Sequence, residues 1–548
     1  MKYQLGRYQK RGFWLQGILC SLALVCGWGT EMSSAAAAET VTIRLGPFQQ
    51  SVAIADLETF AKTGKLPSSL ELFSSILTPQ VRKLLTRPLQ VDPAFADKFF
   101  EQLHQNPAGK QFLSSLAAAI PGSNIASLQA AFNLALRQAK GLTFLGFLQA
   151  YPQENIVVDA SEAISLAVKF NPDYWQSQVF GVLLEQELSS ASNSVPWQST
   201  FNPAATGKQN VQEQTLVFQD QQRNRTIPVD IYWSRGHSQD PLVVISHGFA
   251  SNRKFFSYLA SHLASHGLTV ATIEHPDSNL TAITQTTNAA SLAKLLPASE
   301  FINRPKDISF LLNQLAKLNT KPGLLQEKLN TNKVTVIGHS LGGYTALALV
   351  GGEVDLQQLR QFCKNSLSFA VAPGDWLQCA AASLPGQKIK LQDPRVKSAI
   401  AINPLVGDLF GKNGLTHITR PVLIVTATED SLTPALKHQI LPFSQLRGEK
   451  YLLSAIGATH LSISDPKYQG NDTNTIIKER RGEETKALRQ LLQGVSLAFI
   501  KQLTPQAKFY QQFLTPAYAQ TFSTSQLPLG LVSQLPANLK PWLKLVNQ

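Results

Sequence analysis

The stretch Val334-Thr335-Val336-Ile337-Gly338-His339-Ser340-Leu341-Gly342-Gly343 constrains the fold of this chain more than any other. Its β-branched start favours a strand, and the alanine- and leucine-rich Tyr344–Val350 that follows favours a helix. Between them the backbone must reverse within a few residues. In a turn that tight, side chains at Gly338 and Gly342 would collide with neighbouring backbone. The same turn lifts the Ser340 hydroxyl clear of the end of a sheet, the context in which G-x-S-x-G marks a nucleophile elbow.

The rest of the second half fits such a sheet. Strand-like runs occur at Gln214–Phe218, Ile227–Trp233, Leu242–Ser246, Thr269–Ile273, Val334–Ile337, Val396–Ile402, Val422–Thr426 and Lys450–Ser454. The middle runs are apolar throughout, as strands buried on both faces are. Helical patterns separate most of them, which predicts a mostly parallel, eight-stranded sheet with helices on both faces. No helix separates the first two runs, so an antiparallel edge is expected there.

At 548 residues the chain exceeds the size of a single hydrophobic core, and two domains are expected. The first 38 residues combine Lys2, Arg7, Lys10 and Arg11 with an apolar run and Ser33-Ser34-Ala35-Ala36-Ala37-Ala38. That pattern is a cleavable signal peptide, with an uncleaved membrane anchor as the alternative. Residues 39–195 read as mainly helical, from capped segments such as Asp92-Pro93 and Asp159-Ala160-Ser161-Glu162. Two β-prone pieces there, Ser51–Glu58 and Ile156–Glu162, each feed a helix and resemble one another. Proline and glycine mark a linker over 196–210. The catalytic domain is placed at 211–505, with a cap insertion over 351–394, and a C-terminal extension at 506–548.

The net charge is +13, with basic residues scattered along the chain. This gives a solvated basic surface able to meet a membrane or cell envelope, and no nucleic-acid module is recognisable. Beyond the leader only Cys363 and Cys379 remain, either bridged in an oxidising compartment or free. No metal or organic cofactor is implied.

A serine hydroxyl is a weak nucleophile until an imidazole takes its proton. In this architecture the acid and then the histidine follow the serine along the chain. Beyond Ser340 lie His417, His438 and His460. His460, in the loop after a strand, is the expected base; His417 precedes a strand and His438 reads as part of a surface helix. Asp430, at the carboxyl end of the run from Val422, is the expected acid. Asp408 is the alternative, and the neighbouring Glu429 reads as solvated. The backbone N–H groups of Leu341 and Phe249 are the expected oxyanion donors. Gly248 lets that loop bend, and His247 reads as a structural residue holding it.

Ser246-His247-Gly248-Phe249, then Leu263-Ala264-Ser265-His266-Gly267, then Val270 to Ser278, and Arg304-Pro305-Lys306-Asp307 resemble the platelet-activating-factor acetylhydrolase and dienelactone-hydrolase-like branch of the α/β hydrolases. The resemblance spans roughly residues 210 to 500. It implies an α/β-hydrolase fold and acyl transfer through a serine. One departure is visible. Where that family places its acid, this chain reads Ala401-Ile402-Asn403-Pro404, so the acid is displaced one strand on, to Asp430. The displacement loosens any carry-over of the acetylhydrolase's substrate. The N-terminal region resembles a domain of unknown function that precedes such hydrolases in exported proteins of photosynthetic bacteria.

The expected activity is therefore hydrolysis of carboxylic esters, lipid or small-molecule, by an exported serine hydrolase. A phospholipase-type acylhydrolase or an acyltransferase is the alternative within enzymes, and a non-catalytic binding protein on a hydrolase scaffold is the alternative outside them. The ester and the oligomeric state are not legible in the sequence.

Overall fold

The central strands are those whose every residue is apolar or able to bond within the sheet. In the computed structural model β6 (Leu242–Ser246), β8 (Val334–His339) and β12 (Val422–Ala427) are buried along their whole length. They belong to a nine-stranded sheet whose order is β14-β13-β12-β11-β8-β6-β7-β5-β4. The remaining members are β4 (Val211–Asp220), β5 (Arg225–Ser234), β7 (Val270–Ile273), β11 (Val396–Ile402), β13 (Lys450–Ala455) and β14 (Leu529–Val532). From β7 to β13 neighbouring strands pair in parallel. β4, β5 and β14 run antiparallel at the two edges.

The structure describes residues 38–45, 48–73, 117–136, 143–159, 199–234, 240–285, 296–365, 372–468 and 479–539, with Arg82, Leu85, Glu162, Tyr174, Ser177, Gly181, Leu184 and Leu543 singly. The leader over 1–37 and the Asp92-Pro93 segment lie outside them. Among the described residues no helix is long and apolar enough to cross a membrane.

Two apolar clusters sandwich the sheet. One packs α5 (Glu300–Thr320) and α6 (Leu341–Val350) on one face through Leu311, Leu315, Leu347 and Val336. The other packs α4 (Ser257–Ser265) and α9 (Lys486–Lys501) on the opposite face through Leu259, Leu263, Leu492 and Val425. Burial on both sides explains why the inner strands lack the polar alternation of a half-exposed sheet.

Three features differ from the sequence expectation. The sheet has a ninth strand, β14, which the C-terminal extension lays against β13. It is only four residues long, and its apolar content gives no period to detect. The supposed linker is fastened to the main domain near its middle: the His262 imidazole donates to the Pro203 carbonyl at 3.0 Å, and Phe201 packs edge-on against Phe513. Finally, the N-terminal region carries a three-stranded sheet, β2-β1-β3. Here β1 (Thr40–Leu45) pairs antiparallel with β2 (Phe48–Ala53) and parallel with β3 (Asn155–Asp159). The two look-alike pieces of the sequence supply β2 and β3, and so flank β1 on either side.

The insertion after α6 contains β9 (Glu353–Asp355), α7 (Leu356–Asn365), α8 (Pro373–Cys379) and β10 (Lys388–Lys390), with β9 and β10 paired. Cys363 and Cys379 are joined by a disulfide, tying α7 to α8. Leu356 and Leu359 sink into the main core, so the insertion is anchored to the body of the domain.

Candidate active site

Ser340 sits where β8 meets α6, with φ 54° and ψ −117°, a conformation that costs an L-residue of order 1–3 kcal/mol. Glycines make the turn possible. A Cβ on Gly338 would lie 1.9 Å from the Gly342 carbonyl oxygen, and one on Gly342 would lie 2.1 Å from that of Ser246. Backbone strain gathers here: of the non-glycine residues with positive φ among those described, Ser340, Ala250 and Asn403 all border this site.

Asp430 and His460 meet. The Nδ1 of His460 lies 2.7 Å from Oδ2 of Asp430, and both side chains are almost wholly buried. The carboxylate can only accept, so Nδ1 carries the proton and Nε2 keeps a lone pair. The carboxylate is held from all sides. Its Oδ1 accepts the N–H groups of Leu432 and Thr433, and its Oδ2 accepts the Thr433 hydroxyl and the Gln439 amide. Burial lowers the His460 pKa, but the charge and hydrogen bond of Asp430, with Glu479 adding, outweigh it and raise it above the ordinary value.

His339, the residue before Ser340, links the serine turn to the histidine loop. Its ring lies 4.5 Å from that of His460, and its Nε2 donates to the His460 carbonyl at 3.1 Å. Asn403 donates its side-chain amide to the same carbonyl at 3.0 Å. So the asparagine at the end of β11, in the place where the resembled family carries its acid, fastens the backbone of the histidine loop.

The other candidates are elsewhere. Asp408 is partly exposed, its carboxylate 3.4 Å from the Lys437 ammonium. The Glu429 side chain is exposed. His417 is exposed and lies 4.0 Å from Glu353. His438 corrects the sequence reading: it is fully buried, 3.3 Å from Asp375 of α8, because the insertion covers what would otherwise be a surface helix.

The two expected oxyanion donors lie on the loops that adjoin Ser340. The Ser340 carbonyl accepts from the N–H groups of Tyr344 and Leu405, which turns the adjoining Leu341 N–H the opposite way. Phe249 follows Gly248, where an added Cβ would meet the Ser340 Cβ at 3.3 Å. His247 holds its loop as expected: Nε2 accepts the His275 N–H at 3.0 Å and Nδ1 donates to the Gly248 carbonyl at 2.7 Å. Burial keeps it neutral, with a pKa well below the ordinary value.

Sequence reasoning missed the residues that hold the pair. Thr433 and Gln439 bond Asp430 from the turn and helix beyond it, and Glu479 accepts the Leu461 N–H at 2.9 Å from far along the chain. Thr433 was legible as part of a turn after an aspartate; Glu479 carries no local signal. Among the described residues no cluster of side chains could hold a metal ion.

A mostly parallel nine-stranded sheet with helices on both faces, a strained serine turn at the end of a central strand and an aspartate–histidine pair on loops after later strands is the architecture of the α/β-hydrolase superfamily, to which the chain belongs. Comparisons narrow the likeness. Residues 205–308 match the family model of platelet-activating factor acetylhydrolase, isoform II, and residues 37–159 match one described as an alpha/beta hydrolase of unknown function. The platelet-activating factor acetylhydrolase of Canis lupus familiaris is 30% identical over 137 residues, covering 20% of this chain and 31% of that protein. Cutinase 1 of Thermobifida cellulosilytica is 23% identical over 288 residues, covering 52% of this chain and 77% of the cutinase. The platelet-activating factor acetylhydrolase of Cavia porcellus is 21% identical over 308 residues, covering 50% and 59% respectively. The chain thus spans less than two thirds of either acetylhydrolase.

Proposed function

We propose that the chain is a carboxylic ester hydrolase with Ser340 as nucleophile, His460 as general base and Asp430 as the acid that orients it. The observation that carries this reading is the buried 2.7 Å contact of His460 with Asp430 beside the strained Ser340 turn. The similarity to acetylhydrolases and cutinases supports the substrate class, an ester of a lipid or a small molecule.

In the first half-reaction the Ser340 hydroxyl oxygen attacks the ester carbonyl carbon while His460 Nε2 takes its proton. The carbonyl oxygen becomes an oxyanion, which the Phe249 and Leu341 N–H groups receive. Collapse breaks the bond to the alcohol, whose oxygen leaves with the proton from His460, and the acyl group stays on Ser340. Water then attacks the acyl-enzyme by the same route, releasing the acid. Asp430 keeps the imidazole in the required tautomer and stabilises its charged form. Action outside the cytoplasm, after removal of the leader at residues 1–38, completes the reading and agrees with a Cys363–Cys379 disulfide.

A fluorophosphonate probe tests the class. Covalent labelling is expected in the full chain and lost in Ser340→Ala and His460→Ala; labelling that survives both substitutions sinks the mechanism. Release of p-nitrophenol from acyl esters of rising chain length then separates small-ester from lipid preference.

A further inference from the structure

Beneath the loop that carries Phe249 lies a cation with no place in the reaction just described. Arg304, on α5, is completely buried. Its Nη1 donates to the His247 carbonyl at 2.6 Å, its Nη2 to the Gly248 carbonyl at 3.1 Å, and its Nε to the Ser278 hydroxyl at 2.9 Å. Glu300 stands 3.9 Å from Arg304, and Arg225 holds Asp307 through two hydrogen bonds. Burying guanidinium and carboxylate groups is expensive, and apolar residues of similar volume often serve stability as well or better. Stability alone therefore does not account for a charge aimed at two peptide carbonyls.

Peptide geometry does. In a trans peptide the C=O and the following N–H point in opposite directions. A Gly248 carbonyl turned toward Arg304 sends the Phe249 N–H to the other side of the loop. That other side is the serine turn, since a Cβ on Gly248 would lie 3.0 Å from His339 and 3.3 Å from the Ser340 Cβ. The His247 Nδ1–H shares the Gly248 carbonyl and pins the same plane. Burial pulls the Arg304 pKa down to about 10, with Glu300 and Asp307 opposing the fall, so it is a cation at neutral pH. Its charge also polarises the peptide whose N–H faces the serine.

We propose that Arg304 is the positioning residue of the oxyanion hole, holding the His247-Gly248-Phe249 peptides so that the Phe249 N–H meets the carbonyl oxygen of an ester at Ser340. The proposal rests on the serine-hydrolase reading above. Arg304 touches no reacting atom and acts through the backbone.

Steady-state hydrolysis of a p-nitrophenyl ester by Arg304→Met and Arg304→Lys, paired with the affinity of a boronic acid that mimics the tetrahedral intermediate, tests it. Arg304→Met is expected to lower kcat by roughly 10²–10³-fold, the effect of losing one oxyanion donor, with KM changed little. Boronate affinity falls in parallel with kcat, and the pH midpoint set by His460 stays put. Arg304→Lys, able to reach one of the two carbonyls, recovers part of the loss and serves as the variant should the methionine chain not fold. A loss of kcat with boronate affinity unchanged, a rise in KM with kcat unchanged, or full activity in Arg304→Met each overturns the proposal while leaving the serine mechanism standing. A wild-type chain that neither hydrolyses the ester nor binds the boronate overturns both.

Discussion

At the residue scale the candidate site depends on which groups face His460. Asp430 is the anion bonded to its ring, Glu479 stands behind its loop, and His339, its ring tilted against that of His460, is kept neutral by burial. Replacing Asp430 by Asn keeps the volume, removes the charge and permits the wrong tautomer; kcat is expected to fall by about 10⁴-fold. Asp408→Asn, which only disturbs the contact with Lys437, should stay within about threefold of wild type. A larger loss in Asp408→Asn than in Asp430→Asn in parallel kinetics rejects the assignment of the acid. Because the base must be neutral to act and its pKa is raised, kcat/KM should climb with pH through a midpoint above the ordinary histidine value. Glu479→Gln keeps an acceptor for the Leu461 N–H but loses an anion that favours imidazolium. Its midpoint should therefore move to lower pH. An unmoved profile would show that Glu479 serves the loop's shape alone.

Elements carry the site by holding loops against one another. The disulfide joins α7 to α8 across 16 residues, and Gly374 at the start of α8 donates to the Leu432 carbonyl in the turn that cradles Asp430. Replacing both cysteines by serine should cost about 3 kcal/mol by loop-entropy arguments. Chemical denaturation of the two forms measures it, with a modest fall in kcat expected as the Asp430 turn loosens. Equal midpoints would mean that the packing of Leu356 and Leu359 holds the insertion by itself. At this scale the sequence was most legible where a strand is buried on both faces. Leu242–Ser246 and Val396–Ile402 match their predicted spans: the first is buried along its whole length, and in the second only Lys397 is short of burial, so the apolar residues on both faces mark the strand. β14 was invisible because four apolar residues have no period, and only its pairing with β13 makes them a strand. His438 misled for the converse reason: its own helix gives no hint that α8 covers it.

Over the whole molecule, buried neutral histidines link stability to pH. His247, His262, His275 and His339 all have pKa values depressed by burial, that of His262 to about 4. Below about pH 6.5 the unfolded chain binds protons that the folded chain refuses, so stability falls as pH drops. Each such histidine contributes up to about 1.4 kcal/mol per pH unit below that point. His460 acts oppositely: its raised pKa adds stability that is fully present below about 6.5 and is lost as pH rises through the folded value. With His266 also lowered by burial, five depressed histidines against one raised predict a melting temperature that falls from pH 7 to pH 5, and calorimetry showing no change would contradict it. The segment before the main sheet also reaches the acid loop. Ser177 accepts the Leu436 N–H, Leu184 is buried with Leu436 and Ile440, and Gly181 lies against Thr428, whose hydroxyl ties the acid loop to Gly457 of the histidine loop. A Cβ at Gly181 would stand 3.0 Å from that of Thr428, so Gly181→Val should cost roughly 1–3 kcal/mol by overpacking and lower kcat several-fold. Wild-type turnover and stability in Gly181→Val would show that the two segments move independently.

By itself the sequence determined the strand alternation, the serine turn, the chain order of Ser340, Asp430 and His460, and the absence of a carboxylate at Asn403. These are local facts: a period of apolar residues, a pair of glycines, an aspartate or histidine just past a strand. The tertiary structure alone decided that Asn403 fastens the histidine loop, that Thr433, Gln439 and Glu479 brace the acid–base pair, and that Arg304 aims the backbone beside Ser340. Those roles depend on the direction of hydrogen bonds and on which charges lose water together, and both arise only when distant segments close on one another.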